Sequence, residues 1–229
     1  MLFGGLQKTT LSDFPGHIAA LVFTRGCNLR CPYCHNPQLL TREETAYSQD
    51  EILQFMKSRQ GRLTGLVVSG GEPTLHCELP NFLTAVKELG FAIKLDTNGS
   101  NPQMVEQLLQ QKIVDYVAMD VKAPLAKYPQ LAGTAINTSA IAKTISLLVN
   151  SEIAHEFRTT VVSPHLTEDD LIEIGNLVEG ADRYVLQPFR DKVTLDGQWS
   201  ASGRKMEPAV LARVSARLQE TGLLCQLRQ

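Results

Sequence analysis

Cys27, Cys31 and Cys34 fall in one short run, Arg25-Gly-Cys-Asn-Leu-Arg-Cys-Pro-Tyr-Cys-His35. C-x3-C-x2-C supplies three thiolates and no obvious fourth. A metal or cluster held this way keeps one coordination position open for chemistry. Four chemistries fit the run. One is structural zinc, with His35 or a distant residue as fourth ligand. Cys31-Pro-Tyr-Cys34-His35 also has the form of a c-type haem attachment site. Cys31 and Cys34 alone have the spacing of a glutaredoxin-like dithiol, which leaves Cys27 unexplained. The fourth chemistry is a [4Fe–4S] cluster with three protein ligands and one bare iron.

Composition narrows the classes. A chain of 229 residues suits one domain over 1–229 with a sizeable core. The formal net charge of −2 carries no nucleic-acid or membrane footprint. The first ten residues lack a basic stretch followed by a long apolar run, so no signal peptide is read and haem attachment loses its export route. No apolar stretch approaches the roughly 18 residues of a membrane helix. Five cysteines, three of them clustered, suit a reducing, cytoplasmic setting. Cys77 and Cys225 stand alone and read as incidental or buried small residues.

The elements that must position the cysteines alternate along the chain. Residues 18–23 read as a buried strand from whose end the cysteine loop leaves. Ser48 to Glu51 form a capping box that opens a helix with Ile52, Leu53 and Phe55 on its apolar side. Strands are expected at 66–69, 91–95, 116–119, 156–162 and 184–187. Helices are expected at 79–89, 102–111, 138–150, from the cap Thr167 to Asp170, and at 207–221. A short last strand is expected at 223–227, and 125–137 is the longest unassigned connection.

Short apolar strands alternating with amphipathic helices imply parallel pairing through crossovers. Six such units predict an α/β fold, a partial open (β/α)6 TIM-like barrel, with a doubly wound sheet as the alternative. In parallel α/β folds chemistry collects at the C-terminal ends of strands. Those ends carry the cysteines, then Ser69 to Glu72, Asp96 to Asn98, Asp120 with Lys122, and Gln187 to Arg190. Any one of these is a common loop signal; five together point to one site.

C-x3-C-x2-C with Tyr33 before its last cysteine, followed by Gly70-Gly-Glu-Pro73 after the second strand, resembles the radical S-adenosylmethionine (SAM) superfamily. The zinc, haem and dithiol readings leave Gly70-Gly-Glu-Pro73 unexplained. Within the superfamily the chain is similar to the activating enzymes of glycyl radical enzymes, through Tyr33-Cys-His-Asn-Pro37, Asp96-Thr-Asn-Gly99 and Met119-Asp-Val-Lys122. The opening Gly4-Gly-Leu-Gln-Lys-Thr-Thr-Leu-Ser-Asp-Phe-Pro-Gly16 is nearest to activators of the anaerobic (class III) ribonucleoside-triphosphate reductase.

The resemblance implies roles residue by residue. Cys27, Cys31 and Cys34 hold three irons, and the fourth iron binds the amine and carboxylate of SAM. Gly70 and Gly71 let the backbone approach the ligand, and Glu72 accepts from the methionyl ammonium, against the plainer reading of a solvated loop carboxylate. Tyr33 lies near the adenine, or simply packs in the core. Asp96, Thr97 and Asp120 line a site for a monovalent cation, or the two carboxylates are ordinary helix caps. Lys122 pairs with the SAM carboxylate. Arg190 stands where related activators carry a SAM-contacting histidine, and Arg158 is a second candidate for the ligand carboxylate. His35 is a donor to a cluster sulfur, and Asn36 and Pro37 shape the loop.

One cluster is expected, because no further cysteine lies between Cys34 and Gly70. The implied reaction is reductive cleavage of SAM to a 5′-deoxyadenosyl radical, which takes a hydrogen from a glycine of the partner. Expected partners are a glycyl radical enzyme, foremost the anaerobic ribonucleotide reductase, and a reductant such as flavodoxin. The competing functions are activation of another glycyl radical enzyme such as pyruvate formate-lyase, a small-molecule radical SAM enzyme resembling carboxy-deazaguanine synthases, and a non-catalytic Fe–S electron-transfer or redox-sensing module.

Overall fold

The computed structural model describes residues 1–41, 46–190, 193–200 and 205–228. Phe3–Thr10 forms β1, Ala19–Thr24 β2, Gly65–Gly70 β3, Ala92–Thr97 β4, Tyr116–Asp120 β5, Ala154–Val161 β6, Tyr184–Pro188 β7 and Cys225–Leu227 β8. Between them lie the helices α1 (Gln49–Ser58), α2 (Leu79–Glu88), α3 (Pro102–Gln110), α4 (Tyr128–Ala132), α5 (Thr138–Val149), α6 (Glu168–Leu177) and α7 (Pro208–Glu220). Each of β2 to β7 is followed by at least one helix. The six α/β units expected from the sequence are therefore present, and they are the repeating units of the partial (β/α)6 TIM-like barrel.

The chain divides into two compact units, each assembled from separated stretches. The first takes 1–28, 38–97 and 103–117. In it β2 pairs with β3 and β3 with β4, all parallel, while β1 adds to the free edge of β2 in antiparallel fashion. β2 and β3 are almost continuously apolar and buried, as strands covered on both faces must be. Helix α1 starts where the capping box predicts: Ser48 N–H donates to Glu51 Oε2 at 2.8 Å, and Glu51 N–H donates to Ser48 Oγ at 3.3 Å. Its inward residues Ile52 and Met56 are fully buried, and Phe3 packs on Phe82 with ring centres 5.1 Å apart.

The second unit takes 29–37, 98–102 and 118–229. Here β6 pairs with β7 and β7 with β8, again parallel. Helix α6 begins at a second capping box, Thr167 with Asp170. Tyr128 on α4 and Tyr184 on β7 are among the largest fully buried side chains.

Three departures from the sequence reading have local causes. β1 carries Gly4 and Gly5 and has irregular register against β2, so it lacks the two-residue periodicity that marks a strand. The unassigned connection 125–137 contains a 3-10 turn, Leu125–Lys127, running directly into α4; the proline at position 129 hides a helix of only five residues. β6 starts two residues earlier than expected, at the exposed Ala154. Cys225 is buried in β8 and Cys77 is exposed; burial pushes the Cys225 thiol up, as befits a small apolar core residue.

Candidate active site

In the first unit, the loop that leads from β2 into the cysteines is fastened along its base. Arg25 N–H donates to Leu2 O at 3.0 Å and Gly26 N–H to Leu39 O at 2.7 Å. The Arg25 guanidinium donates to Gln38 O at 2.8 Å, and the His76 ring nitrogen Nε2 lies 2.8 Å from Arg25 O.

The Gly70-Gly-Glu-Pro73 turn grips the same segment. Gly71 N–H donates to Thr24 O at 2.9 Å and Glu72 N–H to Gly26 O at 2.8 Å. Gly70 has a φ of +119°, and a Cβ there would collide with the Thr24 backbone; a Cβ at Gly71 would collide with the Gly26 carbonyl. The glycines thus let two backbone segments touch. That close approach is to the chain itself, a use of glycine the sequence reading assigned to the ligand.

Glu72 is wholly buried, which removes the solvated-loop reading of this carboxylate. Its Oε1 accepts from Thr74 N–H at 3.1 Å, from the Thr74 hydroxyl, and from the Thr97 hydroxyl at 2.7 Å. Glu72 also caps the turn Pro73–Leu75. On β4, Lys94 and Asp96 are two residues apart and therefore share a face. The Lys94 ammonium is ion-paired with Asp96 and lies 5.9 Å from the centre of the Tyr116 ring. Lys94 is 1% exposed. The sequence reading missed it, although a lysine inside an apolar strand, two positions before an aspartate, was a visible signal.

In the second unit, the motif that opens with Asp96 and Thr97 continues as Asn98 and Gly99. Asn98 Oδ1 accepts from Ser100 N–H at 2.9 Å, making a turn, and Gly99 O accepts from the Thr144 hydroxyl at 2.7 Å. Asp120, at the end of β5, is paired twice: Arg158 Nε donates to Oδ1 at 2.9 Å and Lys122 Nζ to Oδ2 at 3.2 Å. Burial alone would push the Asp120 carboxyl up, but Lys122 and Arg158 outweigh it and hold the group well below the usual carboxylate range. Burial likewise works against the Lys122 ammonium, and Asp120, with smaller contributions from Cys31 and Tyr33, drives it well above the ordinary value. Arg158 therefore meets Asp120 in an ion pair, one of the two roles open to it from the sequence.

The segment 29–37 carries Cys31, buried, and Cys34, half-buried; Cys27, half-buried, lies in the first unit. None of the three is in a disulfide. Cys34 N–H donates to Cys31 O at 2.9 Å, closing a turn. Tyr33 is 6% exposed and packs against Trp199, ring centres 5.8 Å apart. Its phenol is pushed up chiefly by burial. His35 Nε2 lies 3.0 Å from the Arg190 carbonyl, and its ring is 5.4 Å from that of Phe189. Arg190 is exposed and meets the cysteine segment through its backbone. Trp199 gave no signal in the sequence beyond being the chain's one tryptophan.

Among the described residues, no group of three or more His, Cys, Asp or Glu converges as ligands of a single metal ion. No helix among them is long and apolar enough to cross a membrane.

Residues 21–178 match the Radical SAM superfamily. A Methanocaldococcus jannaschii protein, whose name assigns it provisionally to the glycyl-radical enzyme activating enzymes, is 33% identical over 207 residues, covering 86% of this chain and 84% of its own length. The pyruvate formate-lyase-activating enzyme of Streptococcus mutans is 29% identical over 208 residues, 81% of this chain and 77% of its own. Among solved structures, Streptococcus suis SuiB bound to S-adenosylmethionine superposes with a TM-score of 0.70 at 17% identity, over 90% of this chain. The chain spans about half of SuiB, 49% of its length, and at that identity the likeness is one of fold.

Proposed function

The chain belongs to the radical SAM superfamily, and on that premise we propose that it activates a glycyl radical enzyme, with the anaerobic (class III) ribonucleoside-triphosphate reductase as its protein substrate. It is an enzyme, and its family works with a [4Fe–4S] cluster and S-adenosylmethionine. The single observation that carries the activase reading is the relative named for glycyl-radical enzyme activation, whose similarity extends over 86% of this chain. The opening Gly4 to Gly16 segment favours the reductase as partner. Pyruvate formate-lyase is the second reading, favoured by the similarity to the S. mutans activator over 81% of the chain.

The residues present suit the cofactors. Cys27, Cys31 and Cys34 form a soft thiolate donor set of the kind iron–sulfur clusters take, on a loop whose base is fixed by Gly71 and Glu72. When bound, the cluster and SAM together supply the reductive cleavage that yields a 5′-deoxyadenosyl radical. The chain's own part is to hold and orient. Gly70 and Gly71 seat the loop, the buried Glu72, steadied by the Thr97 hydroxyl, would accept from the methionyl ammonium, and Lys122 would offer a cation to a carboxylate. Tyr33 shapes the apolar side of the cysteine turn. A monovalent cation beside Asp96, Thr97 and Asp120 would compete with Lys94, which pairs with Asp96, and with Arg158 and Lys122, which pair with Asp120. Arg190 enters the proposal only as a candidate SAM contact.

The same proposal includes one radical SAM domain over 1–229, a single cluster, a flavodoxin-type reductant and a cytoplasmic setting. Anaerobic reconstitution with iron and sulfide tests it. About four irons per chain, with 5′-deoxyadenosine formed on reduction in the presence of SAM, is the expected outcome. Cys31→Ala is expected to abolish that product; cleavage retained by the variant would overturn the three-cysteine assignment.

A further inference from the structure

Within the second unit, the stretch after β7 returns to the cysteine segment and is bound to it twice through the backbone. Leu195 N–H donates to Cys34 O at 3.1 Å, and Asp196 N–H donates to Pro32 O at 3.0 Å. The stretch is preformed by Asp196. Its Oδ1 accepts from Gln198 N–H at 3.0 Å, its carbonyl accepts from Trp199 N–H at 2.9 Å, and the Thr194 hydroxyl donates to the same carbonyl at 2.7 Å. A side-chain turn of this kind costs little ordering entropy, because its bonds close between near neighbours in the chain.

The side chains divide the labour. Val193 is 75% exposed and Leu195 37%, so neither fastens the stretch by burial. Trp199 is 9% exposed and contacts two rings. It stacks on His165 with centres 4.3 Å apart and planes 19° apart, and it meets Tyr33 on its other contact at 5.8 Å. Tyr33 is the residue between Pro32 and Cys34, the two positions whose carbonyls the stretch engages. Arg30, just before Cys31, is fixed separately: its N–H donates to Ala132 O at 2.8 Å. The turn from Cys31 to Cys34 is thus held at its start by α4 and at its end by the stretch 193–199.

We propose that residues 193–199 form a clasp that sets Cys31 and Cys34 in ligating position, with Trp199 as its positioning residue. The inference rests on the cluster reading above. A cluster ligand keeps its iron only if the backbone presents the thiolate at the right point; partners one step beyond the ligands govern metal retention by roughly 10- to 100-fold. Trp199 touches neither substrate nor iron in this account. It acts through Tyr33 and the Pro32 and Cys34 carbonyls.

The test compares wild type, Trp199→Phe, Trp199→Ala and Leu211→Ala, each reconstituted anaerobically and then exposed to a ferrous chelator. Leu211, 3% exposed on α7, is a core control that lowers stability without touching the clasp. Trp199→Ala is expected to release iron about tenfold faster than wild type, Trp199→Phe close to wild type, and Leu211→Ala close to wild type despite its lower melting point. In the wild type, the emission of this one tryptophan is expected to be quenched as the cluster assembles and to recover as iron leaves. Wild-type iron release from Trp199→Ala, or equally fast release from Leu211→Ala, would overturn the clasp while leaving the cluster reading intact. A wild type that assembles no cluster would overturn both.

Discussion

The Thr97 hydroxyl donates to the buried Glu72 carboxylate at 2.7 Å, tying the end of β4 to the turn that follows β3. A carboxylate with no exposure depends on every donor it receives. Thr97→Val keeps the shape of the side chain and removes the donor, so it is expected to lower stability by about 1–3 kcal/mol. Thr97→Ser is expected to recover most of that. Urea unfolding of the three proteins checks it, and an unchanged midpoint for the valine variant would refute it.

Lys94 and Asp96 make the second relationship of this kind. The ammonium is buried and the carboxylate nearly so, with side-chain exposures of 2% and 14%. Removing one member of such a pair leaves an uncompensated charge. Lys94→Met alone is therefore expected to cost about 3–5 kcal/mol, whereas Lys94→Met with Asp96→Leu should regain much of it. A double-mutant cycle in denaturant measures the coupling; additive losses would show that the pair is not the source.

Acid sensitivity has an identifiable contributor in Asp170. Burial raises its carboxyl, but the Lys127 ammonium at 2.8 Å and the Thr167 N–H and hydroxyl prevail and hold it below the ordinary carboxylate value. A depressed folded-state pKa contributes stability that is full above the unfolded value near 3.9 and is lost as pH falls through the folded value. Wild type is expected to exceed Asp170→Asn in stability at pH 6, with the gap closing below about pH 4. Thermal melts across that range read it directly. A gap that widens on acidification would contradict the sign.

Much of this was legible in the residues. Capping boxes at Ser48 and Thr167 fixed two helix starts, and continuous apolar runs marked β2, β3 and β5, because both signals are local. β1 escaped, since its two glycines and irregular pairing erase periodicity, and its place is decided by the edge of β2. The motifs at strand ends were found because their residue types are unusual together. What those residues bind inside the protein was not. Glu72 read as an acceptor for a ligand ammonium, or else a solvated loop carboxylate, because sequence separation hides its partner Thr97, 25 positions away. The clasp is more distant still: Asp196 and Pro32 are joined only by backbone groups, which every residue carries alike.

Electron paramagnetic resonance of a complete anaerobic mixture tests the central claim most directly. Reconstituted, reduced protein would be combined with SAM and an anaerobic ribonucleoside-triphosphate reductase from the same source. The account predicts a glycyl radical doublet that disappears when SAM is omitted or when Cys31 is replaced by alanine. An intact, reducible cluster that gives neither the doublet nor 5′-deoxyadenosine would contradict it.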